Sequence, residues 1–102
     1  MQAVVLPVAD RHLDYARRVS GELAGVRLRA EVNDRAESVG KKIRDAEARK
    51  VPYMLVVGDR EEEAGEVSVR RRGAGNQGAE RIADFVERAG QEIEKRAAPL
   101  PA

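Results

Sequence analysis

The sequence has no cysteine, a single histidine and only three aromatic residues. Without cysteine there is no disulfide scaffold, no thiolate zinc site and no cysteine nucleophile. One histidine, His12, cannot build a multi-histidine metal site. With aromatics at 3%, the core must be aliphatic. No run approaches the roughly 18 apolar residues of a membrane span. The opening MQAVVLPVAD also lacks the charged n-region of a signal peptide. These absences point to a cytoplasmic globular domain with no membrane partner.

What is present fits one domain: 102 residues, 42% hydrophobic and 36% charged. Net charge is only +1, yet arginine outnumbers lysine fifteen to four. The guanidinium fork suits phosphates and base edges. A proteome-wide bias toward arginine is the simpler explanation of the count, and with so small a basic surplus any nucleic-acid contact should be local rather than spread over a basic surface.

The segment Ala3-Val4-Val5-Leu6-Pro7-Val8 reads as a buried parallel strand. Leu13, Ala16, Val19 and Leu23 recur at helical spacing, predicting a helix over 11–24 closed by Gly25. Alternation from Val26 to Val32 predicts a strand with one wet face. Asp34 and Glu37 match a capping box that would open a helix over 35–50, with Val39, Ile43 and Ala46 inward. Tyr53 to Val57 reads as a buried strand in which Val56 is a candidate core residue. After the charged connection 60–65, Glu66 to Arg72 reads as a further strand. Gly73 to Gly78 reads as a glycine-rich loop. A helix over 79–97 carries Ile82, Phe85, Val86, Ala89 and Ile93 on one side, and 98–102 reads as a flexible tail. This order predicts a three-layer α/β domain, a mixed and mostly parallel sheet flanked by helices.

Nothing in this pattern assembles an enzyme. Glu61, Glu62 and Glu63 form a charged turn with no partner set for acid–base work. Ser20, Ser38 and Ser68 have no histidine placed to activate them. The glycine loop lacks the lysine and hydroxyl of a P-loop, so a small-ligand site there is the weaker reading beside a plain connection. His12 reads as a residue that packs or hydrogen-bonds locally. Arg70 and Arg72 should project from one face of their strand about 7 Å apart, with Glu61 across the turn. Such a donor–acceptor set can read a nucleobase edge, or it can form a surface ion-pair network on an edge strand.

Three stretches carry a resemblance. Arg35-Ala36-Glu37-Ser38-Val39-Gly40-Lys41-Lys42-Ile43-Arg44, Val51-Pro52-Tyr53-Met54-Leu55-Val56-Val57-Gly58-Asp59-Arg60-Glu61, and Gly65 through Val69-Arg70-Arg71-Arg72-Gly73 resemble the C-terminal anticodon-binding domain of threonyl-tRNA synthetases. The opening Pro7 to His12 with Tyr15-Ala16 fits as well. The resemblance extends from residue 3 to about 96 and marks 1–97 as an anticodon-binding domain. It implies binding to the anticodon loop of tRNA(Thr), with Arg44, Glu61 and Arg70 reading the second and third anticodon bases. Arg72 and Lys41 complete the candidate RNA-binding set. One departure is Ala36, where the family often carries asparagine, so a base contact from that amide is absent. The resemblance also implies the catalytic domain of a threonine–tRNA ligase as partner. No cofactor is expected in this chain, and ATP and zinc belong to the missing catalytic domain. The chain starts at a methionine and contains no aminoacylation domain. It is therefore either an excised piece of a synthetase or a free-standing paralogue acting as an accessory or protein-interaction module.

Overall fold

The computed structural model describes residues 2–97, with side chains from Ala3 to Glu92. The tail 98–102 and the side chain of Ile93 lie outside the described residues. Strands β1 (Gln2–Pro7), β2 (Arg29–Val32), β3 (Tyr53–Val57), β4 (Glu66–Arg71) and β5 (Gly75–Arg81) form one sheet in the order β2-β1-β3-β4-β5. β1 pairs in parallel with β2 and β3, whereas β3–β4 and β4–β5 are antiparallel. The mixed three-layer α/β architecture is as expected. Its pairings, however, divide evenly between parallel and antiparallel, because the sheet has a fifth strand.

Alternation along the strands sorts side chains to two faces. Ala3, Val5, Tyr53, Leu55, Val57, Val67 and Val69 pack beneath α1 (Leu13–Ala24) and α4 (Ile82–Ala97), where Tyr15, Ala16, Val19, Leu23, Phe85 and Ala89 meet them. Val4, Leu6 and Met54 point the other way and are covered by Ala46, Val39 and Ile43 of α2 (Val39–Ala48). Two of the three aromatics meet in the first layer: Tyr53 and Phe85 pack edge to face at 5.5 Å, and Tyr53 Oη donates to Glu92 Oε2 at 2.6 Å.

Several boundaries shift for identifiable reasons. Gly73 to Gly78 is not a loop. It is a short turn and the first half of β5, made possible by φ angles of +78° at Gly75 and +91° at Gly78. Val69 faces Gly78 while Arg70 faces Asn76, so Gln77 is the extra residue of a β-bulge. The helix predicted from 79 therefore starts at Ile82. α2 begins at Val39, because Ser38 rather than Asp34 supplies the cap, its Oγ accepting from Lys41 N at 3.2 Å. The Asn33 side chain instead accepts from Arg35 N, holding 33–35 as a turn. β2 is shorter than its alternation suggests: Arg27 takes a left-handed φ of +62° and turns the chain out of α1, a role expected of Gly25. A six-residue helix, α3 (Asp59–Ala64), occupies most of the predicted charged connection.

Lys42 breaks the apolar stripe of α2. It is buried, and its Nζ donates to Pro7 O and Asn33 O at 3.1 and 3.3 Å. The ammonium ties together the chain leaving β1 and the chain leaving β2, satisfying one carbonyl of each.

Leu55 is fully buried, whereas its neighbour Val56 only half-buries against the α2 cluster. Leu55→Ala should cost about 2–5 kcal/mol, a large part of the stability of a domain this size. Val56→Ala should cost clearly less. Urea denaturation of both variants checks the order, and equal losses would contradict the assignment of faces.

Candidate nucleic-acid interface

Because Val67 and Val69 are buried beneath α1 and α4, Glu66, Ser68 and Arg70 must point to the opposite face of β4. There α2 covers β1 and β3, while among the described residues the apolar cluster on that face includes none from β4 or β5, which are left without a helix layer. Asn76 pairs with Arg70 and Ala79 with Ser68, so these β5 residues extend the same face. α3 closes one end. The result is a cleft of about 370 Å³ whose lining includes Arg60, Glu61, Ser68 and Asn76. Carboxylate, hydroxyl, amide and guanidinium groups thus converge on a space open to solvent. Such a mixed donor and acceptor set is what base-edge recognition needs.

Of the five expected site residues only Glu61 lines this cleft; Arg70 pairs with its lining residue Asn76, and Arg44, Arg72 and Lys41 are not among the lining residues. Glu61 lines the cleft, half-buried, with Oε1 accepting from Gly58 N at 2.8 Å. That bond fixes the carboxylate at the start of α3 and leaves Oε2 for an outside donor. Arg70 is half-buried on the same face. Its Nε is buried with no hydrogen-bond partner among the described residues, an arrangement that costs about 1–3 kcal/mol unless something supplies an acceptor. Arg72 is exposed where the strand runs into the turn, its N–H still bonded to Pro52 O. Arg44 is exposed on α2. Asp45 and Arg49 occupy the flank of that helix toward β2, with Arg49 reaching Glu31 at 3.1 Å. At 100° per residue Arg44 stands on the side of the helix away from Asp45 and points mostly to solvent.

Lys41 is not brought into this group, since it faces outward and bridges Glu37 at 3.5 Å. Among the described residues Arg44, Arg70 and Arg72 form no ion pair, a trait they share with Arg27, Arg29, Arg60, Arg71 and Arg81, while Arg11, Arg17, Arg18, Arg35, Arg49 and Arg88 are paired. The surface ion-pair network considered from sequence is therefore not what β4 carries. Arg71 lies on the opposite face, its guanidinium 5.5 Å from the centre of the Tyr53 ring. Ala36 sits exposed in the loop before Ser38, outside α2.

Sequence reasoning missed Ser68 and Asn76 as members of the cleft. The spacing of Gly73, Gly75 and Gly78 around Asn76-Gln77 was the available hint of a bulged hairpin rather than a loop. It also missed the long-range partner of His12. The buried imidazole accepts from Ala9 N at Nδ1 (3.1 Å) and donates from Nε2 to Asp59 Oδ1 (2.7 Å). Arg11 donates to both oxygens of Asp59, at 3.0 and 2.7 Å. Hydrogen bonding to Arg11, then to His12, holds the Asp59 carboxyl well below the usual carboxylate range. His12, Asp59 and Glu62 could gather around a cation, but Arg11 already supplies the positive charge at Asp59.

A group whose folded pKa is depressed contributes stability that is complete above its unfolded pKa. That contribution is lost as pH falls toward the folded value. Below about pH 4, the parent should therefore lose stability more steeply than Asp59→Asn. Thermal melts from pH 7 to pH 2 check this, and parallel acid limbs would contradict the ion pairing of Asp59.

The family model described as "Anticodon binding domain" matches residues 2–92. Among curated proteins, the threonine–tRNA ligase of Rubrobacter xylanophilus is 56% identical over 97 residues and one from Thermus thermophilus is 52% identical over 96. Each alignment covers 94% of this chain, which spans only 15% of either relative's length. Among solved structures, the RNA-binding domain of threonyl-tRNA synthetase from Cryptosporidium parvum superposes with a TM-score of 0.82 at 25% identity, over 88% of this chain and 23% of that one. Histidyl-tRNA synthetase from Nostoc shares the fold, with a TM-score of 0.83 at 23% identity, over 90% of this chain and 22% of that one. No helix among the described residues is long and apolar enough to cross a membrane.

Proposed function

The chain belongs to the anticodon-binding domain family, and on that premise we propose that it is the anticodon-reading module of a threonyl-tRNA synthetase. Its ligand is the anticodon loop of tRNA(Thr), and its role is recognition in support of threonine attachment performed by a separate catalytic domain. Extensive identity to two threonine–tRNA ligases supports this choice over the histidine branch of the fold. The observation that carries the reading is the cleft beside β4 and β5 lined by Glu61, Ser68 and Asn76, with Arg70 on the same face of β4 opposite Asn76.

In this reading Arg70 offers its fork to the edge of guanine at the middle of the anticodon. Glu61 Oε2 accepts from the donors of the same base. Arg44, exposed on α2, serves the neighbouring third base, and Arg72 meets the phosphate backbone. Lys41 adds at most long-range attraction. Base reading by hydrogen bonds uses no cofactor in this chain, while ATP and zinc belong to the catalytic domain. Such a module works in the cytoplasm.

Arg70→Ala should weaken binding to a stem-loop with guanine at the middle position by about 1–3 kcal/mol, while an adenine version loses much less. Stability should hold or rise, since Arg70 forms no ion pair and the variant removes a buried Nε that has no partner among the described residues. Arg71→Ala is the control: it removes the guanidinium over Tyr53 and should leave the guanine-to-adenine ratio intact. Fluorescence titration of both stem-loops decides the matter. A parent-like ratio in Arg70→Ala would refute the assignment.

A further inference from the structure

We propose that Arg11, His12 and Asp59 form a positioning clamp that sets the place of Glu61 on the recognition face. This rests on the base-reading role given to Glu61 above. The need for a clamp follows from α3 itself. Six residues are far too few for a helix to hold together alone, and none of them is buried. No apolar anchor therefore ties α3 into either core. What fixes it is polar and concentrated at its first turn.

Asp59 is the first residue of α3, and three donors converge on its carboxylate. Two come from Arg11, whose guanidinium lies on the surface. The third comes from His12, which is only 1% exposed although its partner carboxylate is 58% exposed. A buried ring reaching outward can hold an exposed carboxylate in one direction, provided the ring itself cannot turn. The local bond supplies that condition: Nδ1 accepts from Ala9 N, so Nε2 carries the proton and has one available heading. Backbone contacts bring the same two segments together, with Val8 N donating to Val57 O at 2.9 Å. At Gly58 a side chain would meet Val8 Cγ2 at 3.1 Å and Glu61 Oε1 at 3.4 Å. The β1–α1 loop thus lies directly against the backbone from which Glu61 hangs. Releasing Asp59 would let the first turn of α3 shift. Glu61 would then lose its aim while keeping its charge.

The test compares two variants of opposite charge effect. Asp59→Asn removes a negative charge and should tighten binding to every stem-loop. Arg11→Ala removes a positive charge and should loosen it. Both should nevertheless lower the guanine-to-adenine ratio at the middle base, by about five-fold, the equivalent of one hydrogen bond. A role in stability alone, or in bulk charge, would not move that ratio in the same direction for both. Glu61→Gln should lower it too, and Asp59→Asn combined with Glu61→Gln should lower it no further than Glu61→Gln alone. Arg11→Ala lies on the surface, so it reports even where His12→Gln fails to fold. If Glu61→Gln loses discrimination while Arg11→Ala and Asp59→Asn keep the parent's ratio, the clamp is wrong and the base-reading assignment stands. If the parent itself does not discriminate, the assignment fails and the clamp fails with it.

Discussion

Val67 and Val69 are sealed beneath α1 and α4, and their burial dictates the heading of every polar side chain on β4. A strand cannot send adjacent residues to the same face, so placing these two valines in the core commits Ser68 and Arg70 to the other side. The antiparallel register with β3 then places Arg70 opposite Met54 and Ser68 opposite Val56. There the α2 layer gives way to uncovered sheet. Shifting the register by one residue would bury the arginine and expose the valines, so the cost of misplacing the core guards the recognition face.

Around that rigid centre the molecule uses polar ties where it lacks apolar ones. Lys42 links the chain ends leaving β1 and β2, and the group at Asp59 links the β1 loop to α3. Both ties act at the carboxyl ends of the parallel strands, on segments that contribute little to either core. Hydrophobic packing determines which face is free. Hydrogen bonds determine where the short elements beside that face come to rest.

Most of the architecture was legible in the sequence because its strands and long helices bury regular stripes. The alternation at Val67, Ser68, Val69 and Arg70 put Arg70 on the correct face, and Asp59 and Glu61 fell at the correct end of β3. What escaped had physical causes. Glycines at 75 and 78 suit a loop and a bulged edge strand equally, so β5 and the contribution of Asn76 were hidden. α3 has no buried residue and hence no periodicity to detect. Ser38 competed with Asp34 for the cap, and only the Asx turn at Asn33 decides between them. Lys42 occupies an inward position whose partners are backbone carbonyls, which sequence does not reveal.

The central claim is that anticodon recognition takes place on the open face of β4 and β5 beside α3. Nuclear magnetic resonance titration of the ¹⁵N-labelled chain with a stem-loop carrying a threonine anticodon tests it most directly. The expected result is saturable shifts centred on Glu61, Ser68, Arg70 and Asn76, with the opposite layer at Ala16, Phe85 and Ala89 unmoved. Shifts centred instead on the groove between α1 and α4, at Arg18, Glu22, Arg81 and Glu87, would contradict it.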